Sequence, residues 1–391
     1  MHYLEIGGAE TALIGMLRAW PYDTADVDLF LYSHRGELMT HIPGGVNLLP
    51  EMKPYTLIEA PAAGVIRSGR LDIALARWKA RHDARRFFHT HRPPNHDAAV
   101  GYMGRYITPF LPRINPGVTY DLAISFLAPH DIVLRKVRAR RKLCWIHTDY
   151  TRVGHNAALE HPVWAAYDNI ISISPDVTRS FLKVHPGLDA RIVEIANMLD
   201  PVLIRSRAEA FTPAEFATGF NILSVGRFTD AKNFESIPSI MKRMLEDSPR
   251  KDLHWHIIGY GGGEHLIREA IIREGMERHV HIIGKRDNPY PYIKHCDLYV
   301  QPSRFEGRSV TVREAQMLGR PVVITDYPTA HSQLSDGVDG LIAPLDTPRL
   351  ASSLVAAVNS PSTLGSLAAE CAARDYSDSS EINKIISLIP S

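Results

Sequence analysis

Residues 297–325 read DLYVQPSRFEGRSVTVREAQMLGRPVVIT. The run DLYVQPS has the look of a short buried strand, and PVVIT, reached through Gly319, of a second. Between them a loop carries Glu306 and Gly307, and a helix begins near Arg308 or Ser309. Strand, loop, helix and strand in this rhythm predict a parallel sheet flanked by helices, an α/β fold. Such sheets bind ligands outside the carboxyl ends of their strands, where this loop lies. The helix start offers unpaired N–H groups and the positive end of a dipole, a seat for phosphate. Two carboxylates frame it: Glu306 in the loop and Glu314 inside the helix, about two turns in.

The units before this stretch repeat the rhythm. FNILSVG (220–226) is a strand with Arg227 just past its end, and Lys232 follows in TDAKN. Fixed cations at that rim would suit an anionic ligand such as a phosphate. Arg can hold two oxygens at once, while Lys acts as a point charge. The plainer reading is two solvated basic residues in a loop; strand-end position and spacing favour the functional one. LHWHIIG (253–259) then enters Tyr260 and Gly261-Gly262-Gly263. A dinucleotide fingerprint needs Gly-x-Gly-x-x-Gly, and Glu264 stands where the third glycine belongs. HVHIIGK (279–285) is a strand and NPYPYIKHC (288–296) a short helix broken by proline. GLIAP is a last strand, with helices at about 346–359 and 361–373 and a helical tail, SSEINKIISLI.

Glu306-Gly307, Glu314-Ala315, Gly319 and Pro321-Val322-Val323, with Gly226-Arg227 and Lys232 upstream, resemble the Glu-x7-Glu signature of the family 4 retaining glycosyltransferases. The resemblance implies two Rossmann-like domains facing across a cleft, the GT-B architecture. An acceptor-side domain would span 1–198 and a nucleotide-sugar domain 199–375, with a last helix at about 376–391 crossing back onto the first. Glu314 would hold the ribose diol and Glu306 the donor hexose, with Gly307 letting the backbone approach closely. N–H groups of Ser309, Val310 and Thr311 would meet the distal phosphate, and the loop at Gly261 would face the nucleotide. Arg227 and Lys232 would stand in for a metal, so neither metal nor cofactor is expected. Activity would be transfer of a hexose from a nucleotide-sugar, UDP-sugars being the commonest donors, to a glycan or lipid-linked acceptor of capsule or exopolysaccharide type. The stretch TDYPTAHSQLSDG departs from the family pattern: Pro328-Thr329-Ala330 and Gln333 stand where many relatives have a glycine pair and a glutamate.

The N-terminal half is less regular. Gly7 and Gly8 open a helix, ETALIGMLRAW, after only a few residues, whereas the resembling family has a full strand there. Either the chain starts late or its first strand is cut to a stub around His2–Ile6. Gly7, Gly8 and Glu10 read as a loop near phosphate or acceptor, or equally as a simple helix start. DVDLFLYS (26–33) is a strand; its Asp26-x-Asp28 matches a metal-binding pattern but enters a strand instead of leaving one, so no metal is expected there. Residues 71–92 form a basic amphipathic helix with Ile73, Leu75, Trp78, Phe87 and Phe88 among its apolar residues. It reads as a solvated surface helix or as a dock on an anionic membrane, and RKVRARRK (135–142) would extend the patch. YDLAISF (120–126), KLCWIH (142–147), DNIISIS (168–174) and RIVEIANMLD (191–200) are strands. His147 stands at a carboxyl end, where the family places a histidine on the donor sugar; the plain alternative is a satisfied core histidine. Pro175 starts a helix, and a linker is expected from Met198 to about Pro213.

With 391 residues the chain is long enough for two domains. A net charge of +1 argues against nucleic acid as a partner. Cys144, Cys296 and Cys371 are far apart and odd in number, which suggests neither a disulfide framework nor a zinc site and suits a reducing cytoplasm. No apolar run reaches bilayer length and no signal-peptide pattern opens the chain, so a cytoplasmic enzyme, peripheral at the inner membrane face if at a membrane at all, is expected. Two other readings remain: a nucleotide-dependent oxidoreductase or epimerase, against which the broken glycine fingerprint speaks, and a degenerate nucleotide-binding protein without catalysis.

Overall fold

The computed structural model describes residues 1–5, 7–92, 98–151, 153–216 and 218–390. The chain divides into two compact units: Met1–Met198 with Ser379–Ser391, and Leu199–Asp378. The tail forms a short helix, Ile382–Ser387, whose Ile382 and Ile385 are buried. It is tied to the first unit by Arg141 donating to the Leu388 carbonyl at 3.0 Å and by the Ala196 N–H donating to Glu381 at 3.0 Å.

In the first unit, β1 (Val27–Leu29) and β2 (Val46–Leu48) form a small parallel pair. A separate parallel sheet runs β3 (Tyr120–Ser125), β4 (Ala139–Ile146), β5 (Asn169–Ser172) and β6 (Ile192–Glu194), in that order. The strand expected over 26–33 is thus only three residues long. Beyond it, Phe30 and Tyr32 bond instead to the N-terminal segment: the Met1 amine donates to the Phe30 carbonyl and the Tyr32 N–H to the Met1 carbonyl. Met1–Glu5 is not a strand, and Ile6, the end of the expected stub, lies outside the described residues. Asp28 does not need a metal to explain it: its carboxylate accepts from Asn47, Asn115 and Tyr120, which joins β1 to β2 and to the start of β3.

In the second unit, β7 (Phe220–Val225), β8 (Leu253–Ile258), β9 (Val280–Gly284), β10 (Leu298–Gln301), β11 (Val322–Thr325) and β12 (Leu341–Ala343) make one sheet. Its order is β12-β11-β10-β7-β8-β9, parallel throughout. Counted from β7, this is the 3-2-1-4-5-6 Rossmann order, with its switch point between β7 and β10. Side chains alternate across the sheet: Phe220, Ile222, Trp255, Leu298 and Val300 enter one core, and Leu223, Val225, Tyr299, Val322 and Ile324 the other. Helices cover both faces, which is why these strands read as mostly apolar runs without a regular polar alternation. The expected linker over 198–213 is largely a helix, Pro201–Ala208, capped by Asp200 accepting from the N–H groups of Val202 and Leu203. Proline at its first position and the Asp cap are the local cause; a low apolar periodicity hid it.

Candidate functional site

The switch point sets the site. Strands β7 and β10 are neighbours, and the crossovers leaving them run in opposite directions, so the loops at their carboxyl ends open a crevice between them. The loop after β7 carries Arg227 and Lys232; the loop after β10 carries Ser303, Glu306 and Gly307. Lys232 Nζ meets Glu306 Oε1 at 2.6 Å, their side chains 18% and 12% exposed. Ser303 Oγ donates to the same Oε1 at 2.6 Å. Behind it Tyr299 OH donates to Gln301 Oε1 at 2.8 Å and Gln301 Nε2 to Ser303 Oγ at 2.9 Å. This chain of buried bonds fixes one carboxylate oxygen of Glu306, and no described residue donates to the other. Arg227 is exposed, without a side-chain partner among the described residues, while Phe228 beside it is 1% exposed and anchors the loop.

A third loop, Gly259–Gly263 after β8, locks onto the first. The Phe228 N–H donates to the Tyr260 carbonyl at 2.8 Å and the Gly263 N–H to the Phe228 carbonyl at 3.0 Å. A Cβ on Gly259 (φ +154°) would lie 1.9 Å from the Gly226 oxygen, and one on Gly261 (φ +149°) 2.7 Å from the Phe228 oxygen. Only glycine takes that backbone and that approach. In this structure Gly261 therefore has a packing role, holding the Arg227 loop against its neighbour.

The helix is Val310–Met317, with Ser309 at its cap position. Glu314 lies one turn in, not two. The residue is 4% exposed, and its carboxylate accepts from Tyr290 OH at 2.9 Å. Burial pushes its pKa up to about 7, against the pull of Tyr290's hydrogen bond and of Arg207's charge. Of the three N–H groups expected at a phosphate, that of Ser309 is already committed: it donates to Gln333 Oε1 at 2.6 Å, and Gln333 Nε2 returns to the Ser309 carbonyl. Val310 and Thr311 retain theirs as helix-start donors. Thr329 Oγ1 donates to the Glu306 carbonyl at 3.0 Å. The segment that departs from the family pattern thus supplies two of the braces of the carboxylate loop. Sequence reading noted Gln333 and Thr329 only as departures and missed Tyr290, Ser303 and Gln301 altogether; polar residues at strand ends were the available signal.

His147 belongs to the first unit, one residue past β4, stacked on Trp145 and tilted against Phe126. Its Nε2 lies 2.9 Å from the Phe126 carbonyl, which can only accept, so Nε2 carries the proton and Nδ1 is an acceptor, buried and unpartnered. Burial lowers its pKa to about 4, so the ring is neutral at neutral pH. It lines a cavity of about 190 Å³ with His130, Trp145, Tyr150, His155 and Glu160. Gly7 and Gly8, read as part of the same wall, are not among the lining residues: Gly7 caps the helix Gly8–Arg18 and Gly8 is exposed. The N-terminal segment instead reaches the cavity's rim through His2 Nε2, 2.8 Å from the Ala128 carbonyl.

The basic helix is Leu71–His91. Its apolar residues divide: Ile73, Ala76, Ala80 and Ala84 are buried, while Leu75 and Trp78 are 67% and 66% exposed beside Arg81 and Arg85. The run 135–142 is not one solvated patch. It splits between a helix end and the start of β4, where Lys142 Nζ donates to the Leu134 carbonyl and Arg141 to that of Leu388. No helix among the described residues is long and apolar enough to cross a membrane, and all three cysteines are free and buried.

Residues 219–360 match the family described as Glycosyl transferases group 1. A glycosyltransferase of Methanocaldococcus jannaschii, itself uncharacterized, is 30% identical over 119 residues, which is 30% of this chain and 29% of that one. An N-acetylgalactosamine-N,N'-diacetylbacillosaminyl-diphospho-undecaprenol 4-alpha-N-acetylgalactosaminyltransferase of Campylobacter jejuni is 30% identical over 126 residues, 32% of this chain and 33% of that one. The chain therefore spans about a third of the length of these curated relatives. Anabaena HepE, solved with UDP and glucose, superposes with a TM-score of 0.68 at 17% identity, over 99% of this chain and 96% of that one. The likeness establishes the fold: two Rossmann-like units in one chain, the GT-B class.

Proposed function

We propose that the chain is a retaining glycosyltransferase that moves a hexose from a nucleotide-diphosphate sugar, a UDP-sugar in the first instance, to a glycan or lipid-linked acceptor in surface polysaccharide synthesis. The observation that carries the reading is the Lys232–Glu306 pair at the switch point of a Rossmann-ordered sheet. Lys232 and the exposed Arg227 are the cations for the diphosphate, with Val310 and Thr311 N–H groups adding donors, so that no metal is needed at the phosphates. Glu314 accepts from the ribose hydroxyls, and Glu306 accepts a hexose hydroxyl through its open oxygen. His147 is the first unit's candidate for contacting a sugar hydroxyl, through its acceptor Nδ1. The acceptor oxygen bonds to the anomeric carbon as its bond to the diphosphate breaks, and a leaving phosphate oxygen takes the acceptor's proton on the same face. Charge on that oxygen grows along the way, and fixed cations favour it.

The relatives support the donor and acceptor classes: HepE was solved with UDP-glucose, and the Campylobacter enzyme is named for a diphospho-undecaprenol acceptor. A lipid-linked acceptor also suits the exposed Leu75 and Trp78 with their flanking arginines, which we read as a contact for anionic lipid at the cytoplasmic membrane face. Co-sedimentation with vesicles containing anionic lipid tests this; equal pelleting of wild type and the Trp78→Ala/Arg81→Ala variant counts against it. The transferase reading itself is tested by thermal shift and donor hydrolysis across UDP-, GDP- and ADP-sugars. Stabilisation and turnover by at least one are expected. Silence across the panel removes the basis of the reading, and binding without hydrolysis or transfer would favour a non-catalytic nucleotide-binding protein.

A further inference from the structure

Outside the donor site, the first unit gathers three metal-ligating side chains from three segments. His155 lies in the loop that follows β4. Glu160 lies on the helix Ala157–Trp164, which Asn156 caps by accepting from the Leu159 N–H. His185 closes the helix Pro175–Val184, where its N–H donates to the Phe181 carbonyl. One ligand atom from each falls within 4.8 Å of the others.

The two imidazoles are otherwise unexplained. His185 is 0% exposed, and among the described residues neither of its ring nitrogens has a well-formed hydrogen bond; the same holds for both buried ring nitrogens of His155, whose nearest acceptor is the Val153 carbonyl. A neutral imidazole carries one donor and one acceptor, and leaving both buried and unpaired in two adjacent rings is uncommon in folded proteins. Aromatic packing fixes the rings without satisfying them: His155 and His185 stack at 5.6 Å, and Tyr150, Trp164 and Phe181 surround them. Burial lowers the pKa of His185 to about 3, with His155 and His161 adding to the effect, and lowers that of His155.

We propose that His155, Glu160 and His185 bind a divalent transition ion, zinc by the chemistry of the set. Two imidazoles and one carboxylate suit zinc and disfavour magnesium or calcium, which prefer oxygen. In a tetrahedral site the ligand atoms stand about 3.4 Å apart, so the three segments draw in by about an ångström on binding. Water or His161, whose ring lies 5.6 Å from that of His185, completes the set. The ion pins the loop that leaves β4 to two helices and so stiffens the cavity wall that includes His147. It takes no part in the diphosphate chemistry proposed for the second unit, and it stands or falls independently of that proposal.

The test uses the full chain, stripped with a chelator and titrated with zinc chloride by calorimetry. One tight equivalent is expected, with a rise in thermal midpoint. His155→Ala/Glu160→Gln should weaken that equivalent by more than about tenfold, while His254→Ala/His281→Ala, in a histidine cluster of the other unit, should leave it unchanged. Equal zinc binding by wild type and the first variant overturns the proposal, as does absence of a tight equivalent in wild type or equal preference for magnesium. Should the first variant fail to fold, cobalt(II) on wild type decides. A visible band typical of tetrahedral nitrogen and oxygen ligation, displaced by zinc, supports the site, and its absence overturns it.

Discussion

Around Glu306 in the second unit, polar atoms form a continuous chain of bonds, whereas around His147 in the first unit buried ring nitrogens stand without partners. The first arrangement holds a pair of charges at set positions with a relay of Tyr299, Gln301 and Ser303 behind them. The second holds neutral rings in an aromatic nest, fixed by packing. The contrast separates two ways of preparing a site. Charges must be braced before a ligand arrives, because an unpaired buried charge is costly. Neutral acceptors can wait, since an unmet hydrogen bond costs only about 1–3 kcal/mol.

The comparison can be broken by experiment. On the proposed reading, removing Lys232 would strip the phosphates of a cation, and it leaves Glu306 without its counter-charge. Lys232→Ala should lower donor turnover by about 10²–10³-fold, measured as steady-state donor hydrolysis or transfer, and a variant within threefold of wild type would show that the braced pair is architectural only. Glu314 gives the next effect. With its folded pKa near 7 against an ordinary 4.5, the folded protein keeps a proton that the unfolded chain has already lost. Stability should therefore fall as pH rises from about 4.5 to about 7, by on the order of 3 kcal/mol. In Glu314→Gln that slope should flatten in urea titrations across the range, and donor affinity should weaken most above pH 7, where the wild-type carboxylate is ionised. An unchanged slope would place the buried charge elsewhere. The smallest effect is expected at His147. Its ring is neutral above about pH 5, so His147→Ala should cost about tenfold in turnover without changing the shape of the pH–rate profile between pH 6 and 8. A lost inflection in that range would mean the ring titrates during catalysis and is not a neutral acceptor.

The two units also differ in how far their sequences could be read. Every strand of the second unit was visible because both faces of its sheet are covered, which makes strands such as FNILSV largely apolar, with Asn221 and Ser224 the exceptions. The cations and carboxylates at strand ends were legible for the same reason: topology fixes what lies past a strand. The braces on the carboxylate loop were not, because Thr329 and Gln333 reach Glu306 and Ser309 only when the segment after β11 folds back onto the loop. In the first unit the sheet is split into two and four strands, and β1 and β6 are each three residues long. Single backbone bonds to Met1 and His2 replace part of the expected first strand there, and such pairing leaves no periodicity to detect. The exposure of Trp78 beside the buried Ile73 was likewise beyond sequence, since a helix's own pattern does not say which of its apolar residues meets the core.

The ion pair between Lys232 and Glu306 has one more consequence. A site that carries its own counter-ion is already electrically quiet before a substrate enters, so a small anion such as orthophosphate gains little by entering: it must first compete with a tethered carboxylate at 2.6 Å. On the proposed reading, a nucleotide-sugar would bring hydroxyls that give Glu306 new partners as its phosphates claim Lys232. The pair would then work as an exchange, with the lysine released only to a ligand that compensates the glutamate, and the proposed function would gain selectivity for a sugar joined to a diphosphate over either half alone.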